Sequence, residues 1–292
     1  MKLINRGNYY YLSNSFRAKG KVVYRERYIG KETPGNIEEM KENLLRECMQ
    51  EDLFKRLNQI KKNFQKEWKR YPESIKKEML VDLSIEFTYN TNAIEGSTVT
   101  LEETEGIIRR RIAPNRPIRD IQETINHSKA FFKALNEKED LSLKKVLQWH
   151  KEIFYETKGD IAGKLRDCLV KVGDYTAPDW QDLGKLMQGF FLWHNQNKKS
   201  INAVELAARA HYKFEKIHPF GDGNGRIGRL IIFNILRSGN YPLLIIEYKK
   251  RKPYYHALNK DENYFVHYFM RRYIGAHRKY ISHENKNLLK KD

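Results

Sequence analysis

Cysteine is nearly absent. Cys48 and Cys168 are the only two in 292 residues and lie far apart in the chain. No disulfide framework is implied, and two distant thiols lack metal-ligand spacing. The nine histidines contain neither H-E-x-x-H nor a Cys/His cluster, which argues against a zinc site. Also missing is any apolar run of membrane-spanning length, and Met1-Lys2-Leu3-Ile4-Asn5-Arg6 holds no apolar leader core. The expectation is a cytoplasmic protein without membrane contact. Acidic residues are under-represented, 37 against 55 Lys and Arg, for a formal net charge of +18. Such an excess favours polyanions of every kind, nucleotide and nucleic acid alike, without choosing among them.

The length suits one substantial core with a small appendage. Residues 1–35 form that appendage. Tyr9-Tyr10-Tyr11-Leu12 and Val22-Val23-Tyr24 flank Lys19-Gly20, and Tyr28-Ile29-Gly30 follows, a pattern of two or three short antiparallel strands. Eight basic residues (Lys2, Arg6, Arg17, Lys19, Lys21, Arg25, Arg27, Lys31) meet only Glu26 and Glu32. Interleaved Tyr and basic side chains could form a nucleic-acid-binding ribbon, but the favoured expectation is a solvated sheet with its aromatics packed against a helical body. Thr33-Pro34-Gly35 breaks the chain. Beyond it Leu53, Leu57, Ile60, Phe64 and Trp68 mark one face of a long helix that Tyr71-Pro72 stops. The organisation expected is therefore the arm at 1–35, a helical packing region at 36–80, a helical region at 81–140, a core at 141–276 and a polar tail at 277–292.

One stretch dominates, His218-Pro219-Phe220-Gly221-Asp222-Gly223-Asn224-Gly225-Arg226-Ile227-Gly228-Arg229. Gly223, Asn224 and Gly225 allow tight curvature where a helical pattern begins, and free N–H groups at a helix start attract anions. Asp222 is a hard oxygen ligand of the kind Mg²⁺ accepts. Arg226 and Arg229, three apart, can grip phosphate oxygens. His218 precedes proline, so its imidazole belongs to the loop, where it suits a general base. Residues 223–228 also fit G-x-G-x-x-G, with Leu243-Leu244-Ile245-Ile246-Glu247 placed downstream as a dinucleotide fold would have it. That reading needs a strand before Gly223, whereas positions 204, 207, 208, 211, 214 and 217 have helical spacing.

The stretch resembles the signature of the Fic (filamentation-induced-by-cAMP) family, H-x-F-x-[D/E]-G-N-G-R-x-x-R, at every specified position. The resemblance implies a mainly α fold, with a Fic-type helical core and a short β-hairpin flap, here joined to the β-rich appendage. It implies transfer of AMP from MgATP to a Ser, Thr or Tyr hydroxyl of a protein target, self-modification included. His218 would be the base and Asp222 the magnesium ligand. Gly223, Asn224 and Gly225 would cradle phosphate with backbone and side chain, and Arg226 and Arg229 would neutralise it. Thr91-Asn92-Ala93-Ile94-Glu95-Gly96 is similar to the family's inhibitory motif, with Thr91 and Glu95 one helical turn apart and Gly96 suited to leaving the helix. By that resemblance Glu95 pairs with Arg229 where a γ-phosphate oxygen would sit. Alternation around Val170-Lys171-Val172-Gly173 reads as a hairpin and is similar to the flap that lies over the nucleotide and pairs with target backbone. Tyr254-Tyr255 is similar to the segment bordering the adenine, and base stacking and core packing both suit it. Glu123 and Asn126, in an E-x-x-N pattern, read as structural, and His150 as a hydrogen-bonded core histidine. The rival expectation is a nucleic-acid-binding regulator acting through residues 1–35, its core inactive, using another nucleotide donor, or removing AMP. A homodimer is compatible with either.

Overall fold

The computed structural model describes residues 2–18, 21–137, 140–173 and 175–281. The Lys19-Gly20 turn, Asp174 and the tail from Ser282 fall outside the described residues. The chain divides into two compact units, Met1–Gln59 and Ile60–Asp292.

In the first unit, β1 (Lys2–Arg6), β2 (Tyr9–Ala18) and β3 (Lys21–Gly30) form an antiparallel sheet in sequential order. Gly7 makes the first turn at φ 67, a conformation that favours glycine. Register sets Leu3 against Leu12 and Tyr11 against Tyr28, and cross-strand partners share a face. Leu12 is fully buried beside Leu44, with Ile29, Ile37 and Met40 packed around them. One face of the sheet is thus closed by the start of helix α1 (Ile37–Trp68). The opposite face keeps Tyr9, Tyr24 and Tyr28 exposed. Helix α1 begins directly after the Thr33-Pro34-Gly35 break, well before the aromatic stripe from Leu53, and the division between the units falls inside it at Gln59 and Ile60.

The second unit is helical. Its elements are α2 (Glu73–Ile94), the short α3 (Leu101–Glu105), α4 (Ile118–Asn136) and α5 (Leu143–Phe154), then the two-stranded hairpin of β4 (Lys171–Val172) and β5 (Tyr175–Thr176). After these come α6 (Leu183–Asn197), α7 (Ala203–Ile217), α8 (Asn224–Ser238), α9 (Arg251–Leu258) and α10 (Glu262–Ala276). Twelve of the fifteen α8 residues are buried, so α8 is the central helix, packed against α7, α4, α2 and α5. The run Leu230 to Leu236, apolar on nearly every side, is what permits this placement. Phe233 of α8 lies 4.5 Å from Phe131 of α4 and 5.8 Å from Phe87 of α2, ring centre to ring centre. Truncating one such buried ring to Ala would destabilise the fold by about 3–5 kcal/mol.

Two polar contacts fix α2 on α4 within this apolar setting. Ser84 Oγ meets Ser128 Oγ at 2.9 Å, and Thr88 Oγ1 meets His127 Nδ1 at 3.0 Å. Both lie in the middle of α2, the helix whose C-terminal end carries Glu95. Residues 243–247 form no strand, and Gly223 follows a helix and a loop. The dinucleotide-fold reading of 223–228 fails on that context.

Candidate active site at the start of helix α8

The loop from His218 to Gly223 is set by its own side chains. Phe220 is fully buried and stacks on His150 of α5 at 3.9 Å. The Gly163 N–H donates to His150 Nδ1 at 2.9 Å. His150 Nε2 therefore carries the proton and donates to the Asp222 carbonyl at 3.0 Å. Burial holds this imidazole down to about 4, so it stays neutral and keeps that tautomer. Asn224 clamps the loop from the other side: its Oδ1 accepts from Phe220 N–H at 2.9 Å and its Nδ2 donates to Phe220 O at 2.8 Å. Here the structure corrects the sequence reading. The Asn224 side chain is committed to Phe220 and does not face the anion site, leaving the backbone N–H groups to do so. Gly223 turns into the helix at φ 80, and a Cβ there would stand 2.3 Å from the Phe154 ring. The first-turn N–H groups of α8 have no acceptor within the helix, which makes this end an anion site.

His218 ends α7 in a left-handed conformation, φ 49. Its Nδ1 lies 4.0 Å from the Glu215 carboxylate, and the ring is hydrogen-bonded to the Glu215 backbone. Burial is the largest influence on the imidazole, and the Arg166 charge adds to it, so its pKa falls below the usual value despite Glu215, Glu95 and Asp222. A neutral ring with one nitrogen engaged leaves the other free to accept a proton. Arg166, which sequence reasoning passed over, holds this residue in place. Its guanidinium donates to His218 O at 2.8 Å, Cys168 O at 2.6 Å and Pro178 O at 2.6 Å. One side chain thus ties the loop to both legs of the β4–β5 hairpin. Val170 O accepts from Ala177 N–H at 3.0 Å, Lys171 pairs with Thr176 and Val172 with Tyr175, and Gly173 turns the chain at φ 59. Lys171, Val172 and Gly173 are exposed.

Both arginines of the stretch are buried, and both already hold carboxylates. Arg229, 2 % exposed, donates to Glu95 Oε1 at 2.5 Å and to Thr91 O at 3.2 Å. Glu95 caps α2, Thr91 is buried one turn earlier, and Gly96 leaves the helix at φ 90. The Glu95 carboxylate lies against the backbone of Gly225, where a Cβ would meet Oε1 at 2.3 Å. Burial alone would lower the Arg229 pKa, but Glu95, Tyr254 and Glu215 outweigh it and the guanidinium stays charged. Arg226 donates to Glu123 of α4, lies 4.4 Å from the Phe154 ring centre, and approaches Asp222 Oδ1 at 3.7 Å. Asp222 also takes Lys158, whose Nζ is 3.6 Å from Glu123 Oε1. Burial raises the Asp222 carboxyl, yet Lys158, Arg226 and the Gly223 N–H bring it below the usual carboxylate range. The E-x-x-N pattern had flagged Glu123 as structural only. Nothing in the linear sequence marked Lys158.

Tyr254 and Tyr255 separate. Tyr254 is 1 % exposed, with its OH on His211 Nε2 at 2.7 Å, so the structure assigns it to the core and removes it from the stacking pair. Tyr255 stays partly open beside the site, its OH 3.4 Å from Ile94 O, one residue before Glu95. Among the described residues no group of three or more His, Cys, Asp or Glu could hold a metal ion. Asp222 stands on the loop at the anion end of α8, across from the Glu95 carboxylate that Arg229 holds. A single carboxylate suits Mg²⁺, which takes its remaining ligands from phosphates and water.

A basic, glycine-lined helix start with a loop imidazole, a carboxylate and a β-hairpin alongside suits anion binding on a helical core. Comparisons with known proteins give it relatives. Residues 140–236 match the model of the Fic/DOC family. A protein adenylyltransferase Fic of Drosophila ananassae is 36% identical over 175 residues, 58% of this chain and 35% of the relative. One from Nematostella vectensis is 32% identical over 189 residues, 63% of this chain and 44% of the relative. The chain thus spans less than half the length of these curated relatives. Among solved structures, Fic-1 from C. elegans (residues 134–508) aligns with TM-score 0.70 and 26% identity, covering 85% of this chain and 77% of that one. A Fic-domain signaling protein of Bacteroides thetaiotaomicron aligns with TM-score 0.69 and 23% identity, covering 77% and 95%, which speaks to the fold. Residues 140–236 thus carry a domain similar to the Fic/DOC family, on a helical fold shared with solved Fic structures.

Proposed function

We propose that the protein transfers AMP from MgATP to a hydroxyl side chain of a protein and that Glu95 restrains the reaction. The observation carrying this reading is the Glu95 carboxylate seated on Arg229 and against Gly225, in the anion position at the start of α8. An acid held in a phosphate site of an adenylyltransferase-like core is a competing anion, and ATP must displace it to lie in the productive pose.

The remaining groups then take definite parts. The free nitrogen of His218 accepts the hydroxyl proton as that oxygen bonds to the α-phosphorus. The bond from the α-phosphorus to the bridging oxygen breaks, and pyrophosphate leaves with the electron pair. Backbone N–H groups of Gly223, Asn224 and Gly225 and the guanidinium groups of Arg226 and Arg229 balance phosphate charge. Asp222 would hold Mg²⁺, which neutralises the phosphates when bound. Exposed Lys171 and Val172 offer main-chain hydrogen bonds to an extended target segment, and Tyr255 borders the adenine.

The test is intact mass after incubation with MgATP. Glu95→Gly should gain AMP, the unsubstituted chain little, and Glu95→Gly with His218→Ala none, a loss of roughly 10²–10⁴-fold in rate. Equal gain with and without Glu95 would remove the restraint and leave the transferase reading. No gain with ATP, but a gain with another nucleotide or a loss of AMP from a premodified protein, would redirect the reaction.

A second reading concerns residues 1–35. The sheet face bearing Tyr9, Tyr24 and Tyr28 is exposed, the Tyr28 ring lies 5.9 Å from Tyr9 and 5.5 Å from Tyr11, and the segment is strongly basic. Aromatic faces with cations suit single-stranded nucleic acid.

A further inference from the structure

Four side chains near the start of α8 form a closed ring of alternating charge: Arg226 to Glu123, Glu123 to Lys158, Lys158 to Asp222, and Asp222 back to Arg226. The four come from three segments distant in sequence, at Glu123, at Lys158 and at Asp222 with Arg226, so the ring exists only in the folded chain. Lys158 is its one flexible cation. The backbone places it in the turn that ends α5, where Lys158 N–H donates to Phe154 O at 2.7 Å, and its Nζ lies 5.1 Å from the Phe154 ring centre. Its side chain is 21 % exposed, against 5 % for Arg226 and 9 % for Glu123. Arg226 is held in the interior on Glu123, whose Oε1 also accepts from the Thr157 hydroxyl at 3.2 Å. Lys158 can leave Asp222 freely, because Glu123 Oε1 is already 3.6 Å from its Nζ.

We infer that Lys158 is a tethered counter-cation of Asp222, occupying the divalent-cation position between nucleotides and swinging onto Glu123 when a metal ion arrives. This rests on the reading that Asp222 holds the metal. The physical reason is charge balance. Asp222 sits half-buried at an anion-binding helix end, and without a cation it would oppose the very phosphates it helps to bind. An ammonium on a four-carbon stem answers that need and can still be displaced, whereas a guanidinium fork would hold on in two directions. Lys158 therefore sets how much free metal the enzyme requires, as a positioning residue that touches neither ATP nor the hydroxyl. Because the pair is partly exposed, the competition is worth only a small factor, about three- to tenfold in metal affinity.

The experiment measures free Mn²⁺ by electron paramagnetic resonance as it is titrated into full-length protein saturated with ATP. The background is Glu95→Gly with His218→Ala, so that nucleotide enters and nothing turns over. Lys158→Met, which keeps the stem and drops the charge, should bind Mn²⁺ about three- to tenfold more tightly, and Lys158→Arg no more tightly than Lys158 itself. Unchanged or weaker Mn²⁺ binding in Lys158→Met, with a melting point within a few degrees of the parent, overturns the inference. Asp222→Ala separates the layers. If it leaves Mn²⁺ binding intact, the metal lies elsewhere and the reading of Asp222 itself fails. If it abolishes binding while Lys158→Met changes nothing, only the tethered-cation inference falls.

Discussion

Glu215 lies among His211, His218 and Arg229, and no hydrogen-bond donor reaches its Oε1. Burial, with Glu95 nearby, raises its carboxyl to about 7 against the opposing pull of Arg229 and Lys216. A carboxyl whose folded pKa lies above its unfolded value binds its proton more tightly in the native state. Its stabilising contribution is complete below the ordinary carboxylate range and is lost as pH rises toward 7. From this group alone the chain should lose on the order of 3 kcal/mol across that interval. Glu215→Gln should flatten the slope, so that denaturant unfolding of the two proteins at about pH 5 and pH 7.5 differs mainly at the higher pH. Parallel curves would mean that Glu215 ionises normally. Gly228 belongs to the same cluster. A Cβ there would stand 2.7 Å from Glu215 Oε1 and from His211 Nδ1, which is why the helix carries glycine between two arginines' turns.

At the scale of elements, the site is an assembly of three helix ends and one hairpin. Helix α2 delivers Glu95, α7 ends in His218, α8 begins with the anion site, and Arg166 binds the hairpin to the loop between α7 and α8. Arg166 is 6 % exposed and satisfies three carbonyls at once. Arg166→Met should leave those carbonyls without their charged donor and destabilise the fold by roughly 2–4 kcal/mol, read by denaturant unfolding. In the Glu95→Gly background it should also slow AMP incorporation, because the hairpin and His218 lose their common anchor. Retained rate with lowered stability would show that the hairpin finds its place without the clamp.

For the whole molecule, charge and division into units govern what can be expected. The formal charge is +18, and residues 1–35 carry eight basic and two acidic side chains. If the exposed tyrosine face binds nucleic acid, a gel shift with single-stranded oligonucleotide should appear at low salt, weaken steeply as salt rises, and vanish on deletion of residues 1–35. Absence of a shift at low salt would reduce the arm to a solvated sheet. The AMP transfer proposed for the site at α8 is a separate matter, and either outcome leaves that proposal standing. Among the described residues no helix is long and apolar enough to cross a membrane.

The linear sequence by itself determined the tight glycine loop, the helix that follows it and the place of His218 at the loop's start, because these depend on neighbours within a few residues: glycines, a proline and helical spacing. The pairing of Glu95 with Arg229 was within reach only through the resemblance of two short motifs, since 133 residues separate them in the chain. Tertiary structure alone decided the rest. Tyr254 and Tyr255 are adjacent in sequence, yet the turn of α9 sends one ring into the core and leaves the other beside the site. The Asn224 side chain, suited in the abstract to phosphate, is drawn to Phe220 because a tight loop must satisfy its own backbone. Lys158, Glu123 and Arg166 look in sequence like any other charged residues. Ionic and hydrogen-bonding partners are chosen by distance in space, and burial, which gives those partners their strength, exists only once the chain has folded.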